Sequence, residues 1–294
     1  MMKIHEVAAR DGLQNEKVIF STDQKMRLLK LLAQSKPDSL EVTSFVRSDL
    51  VPQFADAAEL CNQLRDVEWR QGLPLVGLVM NMRGYESFSA SGLDEITAVM
   101  GANQQFSRAN SGMSVERAIA VNGEIVAAAH ADGTPVRMYL SMAFGAPDSK
   151  VEKNLVDELI AASSEMNVER IVLSDTVGVG RPDLVNEILA SARRYVPLEK
   201  IGLHMHDTYG NALENCAAAL SLGVEYFDSS AGGTGGCPFA PGASGNLATG
   251  ALFDLAVRSG CASPATSFAT IDNASDFLSS VLNKPLARGA KLCP

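Results

Sequence analysis

The chain has 294 residues, 46% of them hydrophobic and 20% charged, with a formal net charge of −9. That length suits one large α/β barrel and can bury a full core without disulfides or a structural metal. The acidic balance argues against a nucleic-acid backbone or an anionic membrane as main partner, while a local cluster of cations can still hold an anionic small substrate.

No apolar run approaches the roughly 18 residues of a membrane span. The opening MMKIHEVAARDG has neither an apolar signal region nor the Arg-rich, acid-poor character of a transit peptide. A cytoplasmic protein is the expectation. Five cysteines (Cys61, Cys216, Cys237, Cys261, Cys293) lie without CxxC spacing, which suits free thiols in a reducing compartment.

Eight short apolar or β-branched runs read as strands: 3–9, 39–44, 74–81, 95–101, 135–142, 170–175, 200–207 and 226–230. Most are too evenly apolar to be half-exposed and suit a buried parallel sheet. Amphipathic stretches lie between them. Residues 22–35 place Met26, Leu29 and Leu32 at three-residue steps, with Leu28 and Leu31 beside them, behind a starting Thr. Residues 114–133 open on a Ser N-cap and close on Gly; 150–166 and 181–196 carry similar stripes, the latter with Pro182 in its first turn; 211–223 closes on Gly223. Strand–helix alternation eight times over predicts a closed (β/α)8 barrel as a single domain, 1–294, with a C-terminal helical extension from about residue 264. The competing open doubly wound sheet usually carries a GxGxxG turn after its first strand, and none is present.

Reacting groups in such barrels collect at the carboxyl ends of the strands. The polar residues fall there: Arg10-Asp11 after the first strand, Glu41 and Thr43 on the second, Asp175-Thr176 on the sixth, and His204, His206 and Asp207 on the seventh. Residues two apart on a strand share a face, so His204 and His206 aim together and make half of a divalent-metal site. The alternative for an isolated HxH is one packing and one hydrogen-bonding histidine. Asp11-Gly12 is equally a turn signal, but Arg10 beside the carboxylate suits a site that handles an anionic oxygen. Residues 232–246 hold six glycines, two prolines and Cys237 in 15 positions. They read either as a surface connection or as a lid bringing a thiol to the site. Asn246 is a candidate oxygen ligand, or the N-cap of the helix that follows. Cys61 and Cys216 sit in helical patterns and read as packing residues.

The segments RDGLQNE (10–16), EVTSFV (41–46), VPQFAD (51–56), SDTVGVGRP (174–182), HMHDTYGNALEN (204–215) and GGCPFAPGASGNLAT (235–249) together resemble 3-hydroxy-3-methylglutaryl-CoA (HMG-CoA) lyase. That enzyme belongs to a wider group of metal-dependent barrel lyases and synthases. The resemblance runs from about residue 3 to the end. It implies Mg2+ or Mn2+ held by Asp11, His204, His206 and Asn246. It makes Arg10 the stabiliser of a thioester enolate oxygen and Cys237 the proton-carrying loop thiol. Glu41 and Asp175 would position a metal-bound water or the substrate hydroxyl. An acyl-CoA substrate, acetyl-CoA and acetoacetate as products, a place in leucine breakdown or a similar route, and a homodimer are implied with them. The chain departs from the family at Gly250, where an acidic residue usually follows NLAT, at VAARDG for the common VGPRDG, and at MNMRG (80–84). Three functions stay open: HMG-CoA cleavage, cleavage of a related 3-hydroxyacyl-CoA, and a non-catalytic acyl-CoA- or metal-binding barrel.

Overall fold

Eight strands close into one parallel barrel in chain order, with β8 hydrogen-bonded back to β1. The computed structural model describes residues 1–236 and 245–288. The strands are β1 (Lys3–Glu6), β2 (Ser39–Ser44), β3 (Leu75–Leu78), β4 (Glu95–Gly101), β5 (Val136–Ser141), β6 (Arg170–Asp175), β7 (Ile201–Met205) and β8 (Tyr226–Ser229). The expected (β/α)8 architecture is therefore present strand by strand. Two strands stop three residues short of their expected ends: β3, expected to reach residue 81, and β1, expected to reach residue 9. Past Glu6 the chain leaves the sheet for a π-helical turn, Ala8–Gly12, in which Gly12 N donates to Val7 O at 3.1 Å. Such turns are rare and concentrate where a side chain must be re-aimed.

The helices are α1 (Thr22–Gln34), α2 (Ala57–Leu64), α3 (Met82–Ser89), α4 (Gln104–Ser111), α5 (Val115–Ala131), α6 (Lys153–Glu165), α7 (Pro182–Ala192), α8 (Ala212–Leu222), α9 (Thr249–Arg258) and α10 (Phe268–Leu282). Helix α1 starts at Thr22 as expected, and Ser21 before it is the N-cap: its side chain accepts from Gln24 N, and the Gln24 side chain accepts from Ser21 N, a capping box. Ser114 caps α5 as expected, and Gly223 ends α8 in the left-handed region at φ 102°. Helices α2, α3 and α4 were not foreseen; at eight residues each they are too short to show a periodic stripe. The C-terminal helix α10 packs Ala274, Leu278 and Leu282 into the cluster that buries Leu28, Leu29 and Leu32 of α1. Among the described residues no helix is long and apolar enough to cross a membrane.

The buried face of α1 differs from the simple leucine stripe, because Met26 and Leu31 are half-buried and Lys25 is buried. Its ammonium donates to the Gln53 carbonyl and pairs with Asp56, which also accepts from Thr22 Oγ1 at 2.9 Å. Gln53 Nε2 donates in turn to the carbonyls of Glu16 (2.8 Å) and Val18 (2.7 Å). The segment 53–56 thus ties the loop after β2 to the loop after β1, at the mouth where the expected site lies.

Most barrels fill their interior with branched aliphatic layers. Here the interior is polar. Arg137 donates to Glu95 through Nε (2.9 Å) and Nη2 (2.6 Å), and Nη2 reaches Ser39 Oγ at 3.3 Å. Ser39 Oγ also meets His5 Nδ1 at 2.7 Å. One buried layer therefore links β1, β2, β4 and β5. Burial, then the charges of Arg137 and Arg10, hold the His5 imidazole well below its ordinary pKa, so it is neutral.

Candidate active site

The turn after β1 sets the first half of the site. Arg10 is 5% exposed, and its guanidinium donates to Glu41 Oε2 through Nε at 2.6 Å, to Asp11 Oδ1 through Nη1 at 2.8 Å, and to Gln14 Oε1 at 3.4 Å. Burial opposes its charge, but Glu41 and Asp11 outweigh it and raise the pKa further. Arg10 is a fixed cation. Gly12 has no positive φ, so the Asp-Gly turn is not explained by backbone freedom. A Cβ there would meet Thr234 Oγ1 at 2.6 Å and Ser230 Oγ at 2.9 Å; glycine is required by close approach.

The second half comes from β7 and the segment after the undescribed residues. The rings of His204 and His206 lie 5.2 Å apart, on one face as the two-residue spacing requires. Residues 245–248 run alongside the ends of β7 and β8: Leu247 N donates to Met205 O, Ser230 N to Leu247 O, and Asn246 bridges to His206. Asn246 Nδ2 donates to Asp11 Oδ2 at 2.7 Å and to Thr234 O at 3.0 Å. Asn246 is not a helix cap; the N-cap of α9 is Ala248. Gly250 is buried in the first turn of α9.

Asp11, His204 and His206 each offer a ligand atom, all within 4.8 Å of one another. Burial alone would raise the Asp11 carboxyl, but Arg10, the two histidines and Asn246 hold it well below the usual carboxylate range. Burial, then the neighbouring His204, lowers His206 to about 4. Its imidazole is neutral at pH 7 and can donate a lone pair. His204 goes the other way: burial lowers it, and Asp228 with Asp11 more than reverses that. The cluster can therefore take a divalent cation onto one carboxylate and two imidazoles.

Glu41 is fully buried, with Oε2 on Arg10 and Oε1 without a hydrogen-bond partner among the described residues. Burial raises its carboxyl against the pull of Arg10. Asp175 spends both oxygens on its own turn, Oδ1 accepting from Val179 N at 2.9 Å and Oδ2 from Gly180 N at 2.8 Å. A Cβ on Gly180 would fall 2.8 Å from Asp175 Oδ2, so the SDTVGVG motif is a carboxylate folded into a backbone nest. Burial lifts Asp175 to about 6 against those donors. Cys237 lies outside the described residues, as does Cys293. Cys61 and Cys216 are buried, and burial raises both thiols, Cys61 to about 11, in keeping with packing roles.

The sequence reading missed Asp228 and Tyr139. Tyr139 O–H donates to Asp228 Oδ2 at 2.5 Å, and the same oxygen lies 3.0 Å from His204 Nδ1. The available signal was an acidic residue in the middle of the short buried strand YFDSS. Glu6 was missed as well. It points out of the barrel and accepts from Ala8 N (2.9 Å), Ala231 N (3.0 Å) and Thr249 Oγ1 (2.6 Å), tying the first turn to the start of α9.

Residues 1–278 match the family model described as HMGL-like. A mitochondrial hydroxymethylglutaryl-CoA lyase of Mus musculus is 40% identical over 249 residues, 84% of this chain and 76% of that protein. The mitochondrial enzyme of Rattus norvegicus is 38% identical over 284 residues, 96% of this chain and 86% of its own length. The crystal structure of the HMG-CoA lyase from Brucella melitensis superposes with a TM-score of 0.91 at 34% identity, covering 96% of this chain and 99% of that one. An HMG-CoA lyase from A. baumannii, in complex with coenzyme A and 3-methylmalate, gives a TM-score of 0.91 at 29% identity over 100% of this chain and 97% of its own. With the barrel, the π turn and the Asp11–His204–His206 cluster in place, the chain belongs to the HMGL-like family.

Proposed function

We propose that the chain cleaves HMG-CoA to acetyl-CoA and acetoacetate with a divalent ion, Mg2+ or Mn2+, held by Asp11, His204, His206 and Asn246. The observation that carries this is the convergence of Asp11, His204 and His206 within 4.8 Å beside the buried cation of Arg10. The residues fit such an ion. His206 is neutral, and its buried Nδ1 lacks a partner among the described residues. The donors are carboxylate and amide oxygen with two imidazoles, and no described cysteine joins the cluster, which favours a hard or borderline ion over a structural zinc.

When bound, the ion would acidify and orient the 3-hydroxyl of the substrate. With the hydroxyl proton passed to a base, breaking the C2–C3 bond would leave the keto group of acetoacetate and a thioester enolate, for whose oxygen Arg10 would be the positive charge. Glu41 and Asp11 fix the guanidinium plane, so little reorganisation is needed as charge develops. The family resemblance supports Cys237 as the acid that protonates the enolate carbon. Asp175 acts by ordering the 176–180 turn, since both its oxygens already accept backbone N–H groups. The coenzyme A in the A. baumannii structure supports an acyl-CoA substrate here. The resemblance supports a homodimer, and the free thiols of Cys61, Cys216 and Cys261 support a cytoplasmic location. One barrel domain with α10 as its extension is the matching domain assignment.

Purified protein with Mg2+ or Mn2+ should release acetyl-CoA from HMG-CoA, stop in excess EDTA, and resume when the ion returns. Release only from a different 3-hydroxyacyl-CoA would replace the substrate. Tight thioester binding without release would make the barrel a non-catalytic binder.

A further inference from the structure

We propose that Asp228 is a positioning residue for the metal centre: by accepting the Nδ1 proton of His204 it fixes the imidazole in the tautomer whose Nε2 lone pair serves the ion. This rests on the metal reading of the Asp11–His204–His206 cluster. Asp228 lies on β8, 5% exposed, with Oδ2 at 3.0 Å from His204 Nδ1. The carboxylate is itself held. Tyr139 on β5 donates its hydroxyl to the same Oδ2 at 2.5 Å and sets its ring edge-on to the His204 imidazole, 5.8 Å between centroids at 69°. Three strands, β5, β7 and β8, therefore meet on one oxygen.

A buried carboxylate on a barrel strand does nothing for the core that an apolar side chain would not do better. Its placement makes sense through His204. A neutral imidazole carries one proton, and whichever nitrogen holds it cannot bind a cation. With Nδ1–H committed to Asp228, Nε2 is the nitrogen left to coordinate. His206 contrasts with this. Its Nδ1 has no partner among the described residues, so nothing seen there locks its tautomer. Removing an outer carboxylate of this kind typically weakens metal affinity by about 10–100-fold.

The test uses the full chain and Mn2+ alone as probe, titrated by electron paramagnetic resonance. Asp228→Asn should bind Mn2+ at least about 10-fold more weakly than wild type, with an unchanged far-UV circular dichroism spectrum. The chain has four histidines, so 15N-histidine NMR of the Mg2+-loaded protein can be assigned. It should show a protected Nδ1–H at His204, lost in Asp228→Asn, with the His5 signal unchanged. Affinity in Asp228→Asn within twofold of wild type would overturn the proposal. Should that variant not fold, the wild-type spectrum decides alone: an Nε2–H tautomer at His204 overturns it, and an Nδ1–H tautomer supports it. Wild-type protein that binds no Mn2+ would instead overturn the metal reading, and this proposal with it.

Discussion

Arg10 is a charge buried among charges, and that decides how its removal behaves. Arg10→Gln takes the cation from beside the enolate oxygen and also strands Glu41, which is 0% exposed. Breaking a buried pair from one side costs about 3–5 kcal/mol, so the variant should lose both turnover and stability. Adding Glu41→Gln should return much of the stability, read by denaturant unfolding, and none of the turnover. Return of activity in the double variant would contradict the role given to Arg10. Glu6 supplies a pH dependence. Its folded pKa, about 7 against 4.5, is raised by burial, so the folded state favours the proton. That contribution is full below pH 4.5 and is lost as pH rises through 7. Relative to Glu6→Gln, the wild type should lose on the order of 3 kcal/mol of unfolding free energy between pH 4 and pH 8; parallel curves would refute it. Arg10, Asp11, Glu41 and the histidine pair were legible as polar groups on or just past the carboxyl halves of the expected strands, where reacting groups of such barrels collect. Asp228 and Tyr139 were not, because their importance lies in a contact between strands far apart in sequence.

The VPQFAD segment shows what an element-level motif can hide. In sequence it is only a family signature. In the fold, Gln53 and Asp56 clamp the loop after β1 through the Glu16 and Val18 carbonyls and the buried Lys25. Lys25→Met should cost about 3 kcal/mol, because it leaves Asp56 without its cation. It should also speed hydrogen exchange in residues 14–20 more than in the barrel strands, read by mass spectrometry; uniform exchange would contradict a local clamp. Caps and turns were largely readable from local chemistry, as at Ser114, Pro182 and Gly223. The π turn at Ala8–Gly12 was not. The sequence continues the apolar run of β1 without a break, and the turn is imposed by Gly12 packing against Ser230 and Thr234 on the far side of the barrel seam.

At the scale of the molecule, eight strand–helix units in one chain constrain the architecture strongly, since parallel crossovers share one hand. Barrel closure then brings β1 beside β8 and places residues 11, 204 and 246 together despite their separation in sequence. What the strand pattern does not show is that the interior is polar, since Arg137, Glu95, His5 and Ser39 satisfy one another across strands rather than within one. The most direct measurement is a crystal structure of the protein grown with Mn2+, with data collected for anomalous scattering. An anomalous peak about 2.0–2.2 Å from an Asp11 oxygen and from a ring nitrogen each of His204 and His206 is the expected result. A peak elsewhere, or none at these three residues at saturating Mn2+, would contradict the metal centre on which the function rests.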